Sequence, residues 1–394
     1  MRLRMTLFGL AVVATVGLSG QGQTPQSQFV GKWNLTGTGE HSRYIYFLDV
    51  KENNGQLEAN FLNRSAHATP VSWIRVEGNE LVWQYGPGET APKPACGPIY
   101  RAKLEGSGAS AKLVGSHTLN APNEISCAGL GRRAGGGGEN APAGAAARGG
   151  AAPAAPAAPA AAAAPKKAPP APVTVNWVGV KAPVFPAANA NGAHTYGAPI
   201  VVVGPGVGKE AWTGNTPDTW QTRCEDRWTM ADGVLKNAVP AQGETSTCNI
   251  YSKAVAKDFK IEAEINLAAG QNSGFYIRGR HELQLSLPNP NATGRGGPGA
   301  YPGQLMDIYG WTRADNPVPK PAGEWQKIEA IVVGDRITVM FNDKKVHDNA
   351  RIYAWTGGAL DANVDQPGPI MIQGDHSLVS IRKLVITPIT RAGQ

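Results

Sequence analysis

The chain has 394 residues, of which 49 are Gly and 31 Pro, while charged residues make up only 17%. Average usage is roughly 12% for Gly plus Pro and about 25% for charged residues, so this composition argues against a helical bundle and toward short strands and many turns. The net charge is +7, but Arg132-Arg133 and Lys166-Lys167 are isolated pairs, and the clustered basic face that a nucleic-acid partner requires is missing.

At the start of the chain, Arg2 and Arg4 precede an apolar run over residues 6–18, followed by the small residues Ser19, Gly20 and Gly22. This pattern predicts a secretory signal over residues 1–22 and a periplasmic or secreted protein. The run is shorter than the roughly 20 apolar residues of a membrane span, and no other segment is long enough, so no span is expected. The four cysteines suit an oxidising compartment; their order favours Cys96–Cys127 and Cys224–Cys248, and neither spacing is that of a zinc site.

Residues 44–48, 57–61, 71–76 and 81–85 alternate with the period of strands, and Gly78-Asn79 marks a turn between the last two. A small antiparallel barrel or meander is predicted over residues 28–128. Its opening, Phe29-Val30-Gly31-Lys32-Trp33, resembles the start of lipocalin-like barrels. Residues 129–172 are a low-complexity run of Gly, Ala and Pro that cannot bury a core, and read as a disordered insertion or linker. Residues 173–183 alternate again. An isolated strand needs a partner, so this one is assigned to the first domain.

A second all-β domain is predicted over residues 197–390. Residues 228–235 read as a hairpin with an Asp-Gly turn. Phe259, Ile261, Ala263, Ile265 and Leu267 alternate with polar residues in a half-buried strand. Residues 325–341 form another hairpin around Gly334-Asp335, and residues 378–386 close the domain. Nine or more strands without a helix imply a β-sandwich.

The segment 272–285 carries the most chemistry. A turn at residues 279–281 would set Arg278 opposite Glu282 and Tyr276 opposite Gln284, with Phe275, Ile277, Leu283 and Leu285 on the other face. Such a polar face suits sugar hydroxyls; it also suits plain solvent exposure with an Arg–Glu cross-strand pair. Gln373, Asp375 and His376 form a second cluster, in which Asp375 can orient His376 as a base. Asp307 and Tyr309 form a third. No phosphate loop or nucleophile elbow is present.

Six motifs occur in the order of one family: residues 272–279, 282–285, 308–310, 323–327, 334–337 and 368–376. Over about 190 residues this region resembles the 3-keto-disaccharide hydrolases. Gly374 interrupts an otherwise contiguous Gln-Asp-His, and the loop 288–304 is longer than usual. The resemblance implies a concanavalin-like jelly-roll sandwich acting on a glycoside or oligosaccharide oxidised at C3. It implies Glu282 and His376 as base or acid with Asp375 orienting His376, and Arg278, Gln284, Gln373, Tyr309, Asn272 and Asp307 binding the sugar. A divalent metal as electrophile stays open. The alternatives are a non-catalytic carbohydrate-binding sandwich and a retaining glycosidase, the latter needing paired carboxylates that no strand displays.

Overall fold

The structure is a computed structural model, and it describes residues 26–63, 68–85, 96–121, 171–213, 227–238, 249–287, 305–374 and 378–390. Strands dominate, and among the described residues the helical content is four single 3-10 turns. No described helix is long and apolar enough to cross a membrane. The expected signal segment, the low-complexity run and the loop 288–304 lie outside the described residues, as do Cys127, Cys224 and Cys248 and with them the pairing of the buried Cys96.

The N-terminal sheet is a meander of β1 (Gly31–Gly37), β2 (Ile45–Asn53), β3 (Gln56–Leu62), β4 (Thr69–Pro70), β5 (Trp73–Glu77), β6 (Glu80–Gln84), β7 (Ile99–Glu105), β8 (Lys112–Leu119) and β9 (Val173–Lys181). Its spatial order is β4-β3-β2-β1-β9-β8-β7-β6-β5. β4 and β5 are consecutive along the chain: Val71 N–H donates to Ala59 O and Ser72 N–H to Gln84 O, so one segment borders both β3 and β6. The sheet therefore curls round until its two edges meet. β9, far away in sequence, lies between β1 and β8. Asn54 and Gly55, both at positive φ, make the tight β2–β3 turn, where a left-handed pair matches the strand twist.

Alternation fills the interior with Trp33, Tyr46, Phe61, Trp83, Tyr100 and Trp177. Trp83 stacks on Tyr100 with centroids 5.2 Å apart, and Tyr100 lies 4.4 Å from the His117 ring. Burial pushes His117 down to about 3, so the imidazole is neutral inside this aromatic stack.

The C-terminal domain contains β10 (Thr195–Tyr196), β11 (Ile200–Val203), β12 (Trp212–Thr213), β13 (Trp228–Ala231), β14 (Val234–Asn237), β15 (Ile250–Ala256), β16 (Phe259–Leu267) and β17 (Asn272–Ile277). It continues with β18 (His281–Ser286), β19 (Gln326–Val333), β20 (Arg336–Phe341), β21 (Lys344–Arg351), β22 (Gly368–Ile372) and β23 (Val379–Thr390). The larger sheet runs β13-β14-β23-β16-β19-β20-β21, with β10 and β11 also on β23, and the smaller runs β12-β15-β22-β17-β18. Every second residue of β16 is buried, Phe259 to Leu267, while Glu262 and Glu264 face out toward Lys383 and Arg382. The inward faces of both sheets share one apolar core. The protein is thus all-β, a sandwich preceded by a curled antiparallel sheet.

A third cluster joins the two domains. Ile45, Phe47 and Leu62, on the outside of the N-terminal sheet, pack against Ala354, Trp355, Ala359, Ala362 and Val364 in the loop between β21 and β22.

Candidate active site

The hairpin β17–β18 pairs Ile277 with His281, Tyr276 with Glu282 and Gly274 with Gln284. The turn is therefore Arg278-Gly279-Arg280, one residue earlier than the sequence suggests, and Arg278 does not face Glu282. Arg278 and Gly279 both take positive φ, and Arg280 N–H closes the turn on Ile277 O at 3.0 Å. A buried side chain fixes this register. The Arg278 guanidinium is 0% exposed and donates to Lys257 O (2.6 Å), Gly334 O (2.9 Å) and Asp258 Oδ1 (3.3 Å). It ties three turns together at one end of the sandwich, so the expected sugar-binding role gives way to a structural one.

The segregation of faces survives the shift, because both registers keep Tyr276 and Glu282 on the same side. Two rows of side chains cross the outer face of the smaller sheet. In the first, Tyr251 pairs with Met371, Met371 with Tyr276, and Tyr276 with Glu282. The segment after residue 304 extends this row: Tyr309 N–H donates to Glu282 O at 3.0 Å, and Ile308 bridges Leu283 on the core side. One step along the same ladders lies the second row, with Gln373 beside Gly274, then Gln284, then Asp307. Gln373 N–H donates to Gly274 O (2.9 Å) and Gln284 N–H to Asp307 O (2.9 Å). The structure thus brings Glu282, Gln284, Gln373, Asp307 and Tyr309 onto one surface. Asn272 joins them by accepting a hydrogen bond from the Gln284 side-chain amide. Asp375 and His376 lie outside the described residues.

Glu282 is the focus of this surface. The residue is 3% exposed. The Tyr276 hydroxyl sits 2.8 Å from Glu282 Oε2 and also 2.8 Å from Gly357 O. The main chain of Glu282 is held on both sides, by Tyr309 N–H and by its own N–H donating to Thr356 Oγ1 at 2.9 Å. Gly274 leaves room for the acid: a Cβ there would overlap Glu282 Oε1 and stand 2.9 Å from its Cδ. Gly358, at φ +81°, clears the Tyr276 hydroxyl in the same way.

Asp307 is a second carboxyl on this face, and an unusually weak acid. Burial pushes it up to about 6, against the Ala314 N–H bond and the nearby Arg313 charge, which pull it down. His281, despite its place beside Glu282 in sequence, points to the core side. Burial, then the charges of Arg278 and Arg280, hold it well below its ordinary value, and its Nδ1 lies 3.0 Å from Ala354 O. Among the described residues no group of three or more His, Cys, Asp or Glu side chains is arranged to hold a metal ion.

Residues 206–387 match the family described as the 3-keto-alpha-glucoside-1,2-lyase-like domain. The C-terminal sandwich is similar to that family over this range. The lyase-like domain covers a little under half of the chain and contains every residue of the two rows. No curated protein matches the chain in sequence. Among solved structures, a "putative glycosyl hydrolase" from Parabacteroides distasonis ATCC 8503 is 22% identical, covering 50% of this chain and 90% of its own, with a TM-score of 0.36. The carbohydrate-binding module CBM66 from Bacillus subtilis is 11% identical over 46% of this chain and 96% of its own, with a TM-score of 0.25. An endo-β-galactosidase from Clostridium perfringens is 12% identical over 52% of this chain and 65% of its own, with a TM-score of 0.32. The match to this family supports a carbohydrate-acting β-sandwich.

Sequence reasoning set Tyr276 on the polar face without its contact to Glu282, and passed over Thr356 and Gly357, which hold the Glu282 main chain and the Tyr276 hydroxyl. Gly274 carried a usable signal. An isolated glycine inside a strand marks a place where something else comes close to the backbone.

Proposed function

We propose that this protein is an exported enzyme that cleaves the glycosidic bond of 3-keto-glycosides. The observation that carries this reading is the buried Glu282 carboxyl, held over Gly274 by Tyr276 in the middle of a polar face, within a domain similar to the lyase-like family.

The chemistry follows from the ketone. A carbonyl at C3 acidifies the hydrogen on C2. Glu282 takes that proton, and the electron pair forms an enolate on C3 oxygen. The enolate collapses, the C1–O bond breaks, and the aglycone oxygen leaves with a proton. The product is an enone with a C1=C2 double bond. Water adding at C1, with a proton returning to C2, gives the free 3-keto sugar and makes the net reaction a hydrolysis. Without that addition the enzyme acts as a lyase. A base near neutral and donors aimed at the developing oxyanion are what the step requires. Gln284, Gln373 and Tyr309 offer such donors on the same face, and Asp307, with its raised value, suits proton delivery to the leaving oxygen. His376 is assigned a second acid–base role, with Asp375 orienting it.

The test is turnover of a 3-keto-glucoside in deuterated water, with Glu282→Gln and His376→Ala alongside. The reading expects deuterium at C2 of the hydrated 3-keto sugar, or the enone itself where water does not add, and a loss of about 100-fold or more in kcat for Glu282→Gln. Binding of the keto-glycoside without turnover overturns it in favour of a carbohydrate-binding module.

A further inference from the structure

We propose that the N-terminal domain is a working part of the active site, with Phe47 and Asn34 as positioning residues that clamp the two segments flanking Glu282. As a statement about catalysis this rests on the function proposed above; as a statement about order in those segments it does not.

The first segment is the loop between β21 and β22. It touches the Glu282 neighbourhood at four points. Thr356 Oγ1 accepts the Glu282 N–H, Gly357 O lies 2.8 Å from the Tyr276 hydroxyl, and Leu360 N–H donates to Gly279 O at 2.8 Å. Asp361 grips Arg280 through both oxygens, at 2.6 and 2.9 Å. Nothing in this loop is regular helix or strand, so its shape depends on what it packs against. On its other side stand Ile45, Phe47 and Leu62 of the N-terminal sheet, and the Asn34 side-chain amide donates to Ala362 O at 3.0 Å across 328 positions of sequence.

The second segment carries Asp307 and Tyr309. It continues directly into Trp311, whose indole meets Phe47 edge to face with centroids 5.6 Å apart. Trp311 Nε1 also donates to Trp355 O at 3.1 Å, which locks the two segments to each other. Phe47 thus touches Trp311 on the strip that holds Glu282 O and shares one apolar cluster with the loop that holds Glu282 N–H.

The clamp belongs to the outer surface of the N-terminal sheet. Its residues sit in a cluster distinct from the aromatic interior formed by Trp33, Trp83 and Tyr100. Removing them leaves that interior intact, and this makes the proposal testable in the full-length chain.

The experiment compares wild type with Phe47→Ala, Phe47→Leu and Asn34→Ala. Steady-state kinetics on a 3-keto-glucoside are read beside amide hydrogen exchange. For Phe47→Ala the expected result is a fall in kcat of about 10–100-fold with little change in KM, as befits a displaced catalytic group. Exchange at the Glu282 and Tyr309 amides rises by about tenfold or more, while amides of β6, β7 and β16 stay protected. Phe47→Leu recovers most of the loss, and Asn34→Ala shows a smaller change of the same kind. Unchanged exchange at those two amides in both Phe47→Ala and Asn34→Ala overturns the clamp. A wild type that turns over no keto-glycoside defeats the chemical reading alone, because the exchange measurement still decides whether the clamp exists.

Discussion

The Glu282 carboxyl rests directly over the bare α-carbon of Gly274 on the neighbouring strand, and no side chain fits between them. The Gly274 backbone is not left-handed, so alanine is conformationally allowed there. The cost of Gly274→Ala is therefore displacement of the acid and of the Tyr276 ring, whose Cε2 would lie 2.7 Å from the added Cβ, not strain in the strand. A shift of about 1 Å in a catalytic group costs on the order of 100-fold. The expected outcome is a kcat about 100-fold lower with a melting temperature close to wild type, read by steady-state kinetics and thermal melts.

Tyr276→Phe separates positioning from packing. The ring stays among Tyr251, Met371 and Leu360, and only the hydroxyl is lost. With Glu282 ionised, that hydroxyl is a charge-assisted donor that favours the carboxylate. Its removal disfavours ionisation, so the limb of the kcat/KM profile that needs ionised Glu282 moves to higher pH. A loss of roughly tenfold in kcat near neutrality is expected, shrinking as pH rises. A profile that keeps its shape and position counts against Glu282 as the base.

Asp307 carries a stability signature of its own. In the folded chain it titrates at about 6 instead of 3.8, so the fold holds its proton more tightly than the unfolded chain does. Stability falls as pH rises between those values and is level above about 6. Asp307→Asn removes the buried charge while its side-chain oxygen still accepts the Ala314 N–H. The variant should melt higher than wild type at about pH 8, and the gap should close by about pH 4. A gap independent of pH would mean that Asp307 is not a buried acid.

Much of this arrangement is legible in the sequence, for a physical reason. Alternation in β16 and in β17–β18 separates apolar from polar residues with a period of two, and that separation holds for any register of the same parity. Tyr276, Glu282 and Gln284 therefore share a face even though the turn lies one residue from where the spacing places it. What failed is the part set by distant contacts. Arg278 looks like a polar residue of a strand, but its destination is fixed by Asp258 and Gly334, from turns that pattern alone does not bring together. Thr356 and Gly357 lie in an irregular loop with no period to read. The contact between Phe47 and Trp311 spans two domains, and nothing local to either residue announces it.

Arg278 is the place where the structural role can be told from the expected sugar-binding one. Its guanidinium is fully buried and paired with Asp258. Removing one partner of a buried pair costs about 3–5 kcal/mol, because the other charge is left without its counterpart. Arg278→Met is expected to lower the unfolding free energy of the sandwich by about that amount in denaturant titrations, while KM of the folded fraction stays near wild type. A raised KM with unchanged stability would return Arg278 to the substrate.

His117 makes the N-terminal domain acid-sensitive independently of the active site. Unfolded, it titrates near 6.5; folded, burial holds it down to about 3. Between those values the unfolded chain carries a proton that the folded one does not. Its contribution is therefore full above about pH 6.5 and is lost as pH falls, at up to about 1.4 kcal/mol per pH unit, until the folded value is reached. From pH 6.5 to 4.5 that amounts to about 3 kcal/mol. His117→Gln cannot take up this proton, so its unfolding free energy should fall less steeply over the same range. Fluorescence of Trp83 and Trp177, which pack in the same interior, reports the transition. Parallel curves for variant and wild type would mean that the imidazole is already charged inside the stack with Tyr100.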